Sequence, residues 1–84
     1  MQYNCRVCGL FIEDAPWGKD NKTSSYEICP CCGVTFGNED YTLESVRLYR
    51  SKWLNSGSGW FFPKMKPAIW NQGVQMESIP TEWV

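Results

Sequence analysis

Two Cys-x-x-Cys-Gly segments, Cys5-Arg6-Val7-Cys8-Gly9 and Cys29-Pro30-Cys31-Cys32-Gly33, stand with twenty residues between Cys8 and Cys29 in a chain that contains no histidine. Each reads as a knuckle. Two cysteines three positions apart converge on one side of a tight reversal, and a glycine free to take positive φ lets the chain fold back. Two knuckles complete a tetrahedron, so the spacing predicts one structural zinc ion held by Cys5, Cys8, Cys29 and Cys32. The competing reading, two disulfides, needs an oxidising compartment. The opening Met1-Gln2-Tyr3-Asn4 has no basic n-region, apolar h-region or small-residue cleavage site, and five cysteines would leave one thiol over. A reducing cytoplasm is the expected location. Gly59-Trp60-Phe61-Phe62 and similar apolar stretches fall far short of a membrane span.

At 84 residues the chain allows one domain with a modest core, a size at which folding commonly depends on a staple. A bound structural zinc contributes on the order of 10 kcal/mol of apparent folding free energy. Five tryptophans, four tyrosines and four phenylalanines can build a core from few side chains, and the same rings can anchor an interface. Charge divides along the chain. Residues 1–44 hold seven acidic against three basic side chains, a net −4, and residues 45–84 hold five basic against two acidic, a net +3. No basic run is dense enough for an evident phosphate-binding face, so a protein partner fits better than nucleic acid.

The expected fold is small α+β: zinc-ribbon-like hairpins around two knuckles, one main helix, and an irregular aromatic-rich C-terminal segment. Within a single domain spanning 1–84, residues 1–37 form the ribbon, 38–57 the helix region and 58–84 the aromatic segment. Gln2-Tyr3-Asn4 and Leu10-Phe11-Ile12 flank the first knuckle as short strands; Ser24 to Ile28 and Val34-Thr35-Phe36 flank the second. Between them Glu13 to Thr23 is a polar loop carrying Trp17, which either folds back onto the ribbon or stays exposed as a contact. Asp40 or Thr42 caps a helix over about Leu43 to Leu54, whose inner face takes Leu43, Val46, Tyr49 or Arg50, Trp53 and Leu54. Asn55 to Gly59 stops it. Trp60 to Pro63 is expected to be extended, Pro67 to Trp70 to make one helical turn, and Asn71 to cap a short second helix that ends before Pro80.

The block from Tyr26 through Cys29-Pro30-Cys31-Cys32-Gly33 to Phe36-Gly37-Asn38-Glu39-Asp40 resembles the small bacterial cysteine-rich proteins named for their CPCC motif. The Cys-x-x-Cys-Gly-Leu opening, Ala15-Pro16-Trp17-Gly18, Arg50-x-x-Trp53-Leu54, the aromatics before Pro63 and Ile79-Pro80 extend the likeness over nearly the whole chain. The resemblance implies little about activity. Some small proteins of this style are encoded beside polymorphic toxins, which implies an immunity role by association.

Cys31 exceeds the four-ligand count, and three readings stand: a small filler in the turn, a substitute for Cys32 as ligand, or a redox-active thiol. An enzyme is not expected. Four thiolates close the coordination sphere and no histidine is present as base, while Glu39 and Asp40 fit helix entry better than acid–base work. The deaminase signature lacks its upstream His or Cys beside Glu. The leading function is a protein-binding module, concretely an immunity-like protein that neutralises a partner toxin, with Trp17, Trp60, Phe61, Trp70, Glu39 and Asp40 as contact residues. The first alternative is a nucleic-acid-binding zinc ribbon using Arg47, Arg50, Lys52, Lys64 and Lys66 on phosphates and Trp60, Phe61 or Phe62 on bases. The second is a thiol sensor centred on Cys31.

Overall fold

Gly9 and Gly33 sit at φ +83° and +81°, a conformation that costs glycine nothing, and each closes the reversal at its cysteine pair. The computed structural model describes residues 3–84. Its two reversals share one hydrogen-bond pattern displaced by 24 positions along the chain. Cys5 N donates to Leu10 O at 2.8 Å and Gly9 N to Cys5 O at 3.0 Å; Cys29 N donates to Val34 O and Gly33 N to Cys29 O, both at 2.9 Å. The first reversal turns a hairpin of β1 (Tyr3–Asn4) and β2 (Phe11–Ile12), antiparallel with Tyr3 opposite Ile12 and Asn4 opposite Phe11. Gln2, expected in the same strand, lies outside the described residues.

The second reversal departs from the expected pair of strands. Ile28 bridges Thr35, the counterpart of Asn4 and Phe11, but the pairing goes no further as a ladder. Tyr26 takes φ +60°, so its N–H reaches Phe36 O at 3.0 Å while Phe36 N reaches Glu27 O at 2.9 Å. The alternation read over Ser24 to Ile28 is therefore broken by a left-handed residue.

Helix α1 (Leu43–Asn55) begins at Thr42, whose side chain accepts from Ser45 N while Ser45 Oγ accepts from Thr42 N, each at 3.1 Å. This reciprocal capping box satisfies donors that the first turn leaves open. The helix ends in a Schellman arrangement: Ser58 N returns to Trp53 O at 2.9 Å and Gly57 N to Leu54 O at 3.2 Å, with Gly57 at φ +101°. Val46, Arg50 and Trp53 are its buried face. Leu43 and Leu48 are exposed, so Leu43 does not join the expected inner stripe.

The C-terminal third is packed but sparsely regular. Phe61 N and Phe62 N run alongside the second knuckle, and a 3-10 turn over Pro63–Met65 follows. The helical turn expected over 67–70 is not formed. Asn71 caps the short helix α2 (Gln72–Met76), its Oδ1 accepting from Val74 N at 3.0 Å, and a 3-10 turn over Thr81–Trp83 returns the chain to α1. The core is made of Val7, Val34, Phe36, Val46 and Trp53 around all five cysteines, so sulfur occupies the space a larger domain would give to leucine.

Candidate metal centre

Cys5, Cys8, Cys29 and Cys32 are all buried, and their four Sγ atoms lie within 4.8 Å of one another, an arrangement that could hold a metal ion. Across the knuckles Cys5 Sγ stands 3.7 Å from Cys32 Sγ, and Cys8 Sγ 3.7 Å from Cys29 Sγ. Val7 N points at Cys5 Sγ at 3.4 Å, the amide-to-sulfur contact expected of a knuckle. As bare thiols Cys8, Cys29 and Cys32 compete for protons. Hydrogen bonds from Cys32, Cys5 and Cys8 draw Cys29 down, the hydrogen bond to Cys29 pushes Cys8 up, and burial pushes Cys32 up. A dication among them favours the thiolate form throughout.

A reversal that turns amides toward sulfur turns the following carbonyls outward, and buried carbonyls need donors. All six are met. On the first knuckle Arg50 Nη2 donates to Arg6 O and Arg50 Nε to Val7 O, both at 2.7 Å, and Gln75 Nε2 donates to Cys8 O at 3.2 Å. On the second, Phe62 N donates to Pro30 O at 2.9 Å, Phe61 N to Cys31 O at 3.0 Å, and Tyr49 Oη to Cys32 O at 3.3 Å. Helix α1 thus supports both knuckles with adjacent side chains, and the aromatic segment and α2 complete the shell. Glycine is required here for space as well as for φ. A Cβ on Gly9 would collide with Gln75 O, and one on Gly33 would come 2.8 Å from the Phe61 ring.

Cys31 lies outside the four-sulfur cluster. By the 24-residue offset it occupies the place of Val7, and both are fully buried. Gln75 Nε2 reaches its Sγ at 3.3 Å, and hydrogen bonding from Cys8, then Gln75, lowers its pKa despite burial.

The expected contact residues divide sharply. Trp17 is 5% exposed, and its Nε1 donates at 2.8 Å to Asp40 Oδ2. Asp40 is fully buried and also accepts from Gly37 N at 2.7 Å through Oδ1. Neither is an open contact residue: the loop aromatic covers core because its indole N–H finds a buried carboxylate. Asp40 does not cap α1 either, a task Thr42 performs. Glu39 is half-buried and accepts from Thr35 N at 2.9 Å and Asn38 Nδ2 at 3.0 Å, holding the turn after the second knuckle. Trp60 and Trp70 are half-buried against each other in an edge-to-face pair at 5.5 Å, with Trp70 Nε1 donating to Gln75 Oε1. Phe61 alone of the six is open, 52% exposed and edge-on to Phe62.

Arg50, expected as a phosphate contact, is buried beneath the first knuckle and also donates to Trp83 O. Arg47 donates from Nε and Nη2 to Val84 O. Sequence reasoning missed Arg50 and Gln75 as supports of the site. Arg50 carried a signal, since it falls on the helical stripe between Val46 and Trp53; Gln75 carried none.

No family model matches the chain, and no solved structure matches it. It is similar to the uncharacterized protein YoaQ of Bacillus subtilis (strain 168), 34% identical over an aligned stretch of 71 residues that takes in 66% of this chain. The chain spans 59% of that relative's length.

Proposed function

We propose that this chain is a non-catalytic zinc-stabilised protein-interaction module of the CPCC type, acting as an immunity-like protein that binds and neutralises a basic toxin partner. Zinc is favoured by ligand type and by spacing: a tetrahedron with metal–sulfur bonds of about 2.3 Å has edges of about 3.8 Å, close to the two 3.7 Å separations. The closed four-thiolate sphere and its fully hydrogen-bonded support fit a structural ion in a zinc-ribbon-like frame. Such a sphere leaves no position for substrate or water.

The observation that carries the interaction reading is the groove between β2 and the segment 25–30. Phe11, Ile28 and Met65 line it while remaining exposed, Phe36 forms its floor, and Glu13, Asp14 and Glu27 stand along it with no basic residue among the lining side chains. Apolar anchors ringed by carboxylates complement a basic surface with a protruding apolar side chain. Three of the seven acidic side chains of residues 1–44 thus stand on one groove, a charge that suits the phosphate-binding face of a nuclease-like toxin. The nucleic-acid alternative loses Arg50 to burial, and the thiol-sensor alternative loses accessibility at Cys31.

The test combines metal analysis with capture of the partner. Protein purified without added metal should carry one zinc per chain; iron in its place would overturn the zinc assignment. At moderate salt the chain should retain one stoichiometric basic polypeptide, resistant to nuclease treatment, and Ile28→Asp should release it while keeping zinc and the melting profile. Undiminished capture by that variant would refute the groove, and recovery of nuclease-sensitive RNA or DNA would replace this reading by the nucleic-acid one.

A further inference from the structure

Arg6 is the first residue inside the first knuckle, and it is 6% exposed. Trp17 and Trp83 cover the two faces of its guanidinium, with the Cζ atom 3.9 Å and 4.0 Å from the respective ring centroids. Both faces of the cation are thereby closed and only its edge is left to bind. One in-plane bond is made: Nη1 donates to the backbone carbonyl of Asp40 at 3.1 Å. The other donors find no partner among the described residues. The Asp40 carboxylate makes no hydrogen-bonded ion pair with the guanidinium, its oxygens accepting from Trp17 Nε1 and Gly37 N, while its charge and that of Glu82 act on Arg6 through space.

Arg6 lines a cleft of about 470 Å³ that runs between the Trp17 loop and the C-terminal turn. Tyr3, Pro16 and Pro80 give the cleft apolar walls beside the two tryptophans, and Lys19 and Glu82 stand at its rim. The only buried side-chain nitrogen or oxygen without a partner among the described residues is Trp60 Nε1, so the unpaired Arg6 nitrogens keep some exposure, and Arg6 is a lining residue of the cleft. A flat cation held between two rings with its edge toward a concave space suits a planar two-oxygen anion lying in the same plane. We propose that this cleft binds a carboxylate carried on an apolar or aromatic body, with Arg6 as the edge-on anchor and Trp17 and Trp83 as the walls that hold it rigid. Glu82 is the rim charge such a ligand must approach, and it opposes binding. The site is independent of the toxin-binding groove, which lies on other residues and would survive its loss.

The experiment is a titration of the metal-loaded chain, followed by the indole N–H signals of Trp17 and Trp83 and the Arg6 Nε–H signal in ¹H–¹⁵N spectra. The probes are 3-phenylpropionate for a free carboxylate, N-acetylphenylalanine for a peptide C-terminus, 3-phenylpropionamide as neutral isostere and inorganic phosphate as a non-planar anion. Saturable shifts confined to those three signals are expected for a carboxylate in the millimolar range or tighter, with the amide and phosphate each about tenfold weaker or worse. Tighter binding of one carboxylate over the other identifies the source of the natural ligand. Glu82→Gln should tighten binding and Arg6→Lys should weaken it, with metal content unchanged in both. Absence of saturation up to about 10 mM of either carboxylate, equal binding of the amide or phosphate, or unchanged affinity in Arg6→Lys would overturn the proposal.

Discussion

Cys31 and Arg50 show how single positions divide the work inside the cysteine cluster. Because Cys31 stands where the first knuckle has Val7, Cys31→Val should keep the metal and cost no more than about 1 kcal/mol by chemical denaturation. Cys5→Ser, Cys8→Ser, Cys29→Ser and Cys32→Ser should each lose both metal and fold, read by metal content and circular dichroism. Metal loss in Cys31→Val would instead make Cys31 a ligand. Arg50→Met keeps much of the aliphatic bulk but removes donors from Arg6 O, Val7 O and Trp83 O. Leaving buried acceptors unpaired costs about 1–3 kcal/mol each, so a loss of roughly 3 kcal/mol or more is expected in equilibrium unfolding. Arg50→Lys should recover only part of it, since one ammonium cannot reproduce the guanidinium fork.

Helix α1 carries its boundary signals in its own sequence, and those signals are separable from the metal. Thr42→Ala removes the capping box and should lower stability by about 1 kcal/mol with metal content unchanged. Gly57 and Gly33 make a contrasting pair. A Cβ at Gly57 meets nothing within 4 Å, so Gly57→Ala should cost only the backbone conformation, about 1 kcal/mol. At Gly33 the Phe61 ring stands in the way as well, so Gly33→Ala should cost more and also disturb the Phe61 amide that supports Cys31 O. Equal melting temperatures for the two variants would refute this distinction. The second knuckle's missing strand belongs to this scale too. Tyr26 at φ +60° gave no local warning, because tyrosine disfavours that conformation and only the surrounding contacts hold it.

The whole molecule has a radius of gyration of 11.7 Å, against about 12 Å expected for a compact chain of this length. That compactness is reached with two two-residue strands and two α-helices among the described residues, so the cysteine cluster and its carbonyl shell replace an extended sheet as the organising centre. Metal removal should therefore unfold the chain as a unit. A strong chelator is expected to abolish the far-ultraviolet dichroism of α1 and shift tryptophan emission to the red together, while a reductant alone changes neither. Acid should do the same, because the ligands bind as thiolates: stability from the metal is present while they are deprotonated and is lost as pH falls and protons displace the ion. A folded, metal-free chain at neutral pH would show that the core suffices without it.

The cysteine spacing, the glycine after each pair, the helix with its cap and stop, and the Asn71 turn were legible from sequence because each depends on residues within a few positions of one another. The four-sulfur cluster was legible for the same reason, with a repeat of the motif supplying the second half. Tertiary structure alone decided which polar groups would be hidden. Asp40 and Arg50 look like surface residues by type, and Trp17 stands in a polar loop that left both burial and exposure open. They are buried because outward-turned knuckle carbonyls and an indole N–H, brought together from positions 23 to 44 residues apart, demand partners once water is excluded. The same long-range closure places Trp17 and Trp83 on either side of Arg6, an arrangement for which a linear sequence has no signal.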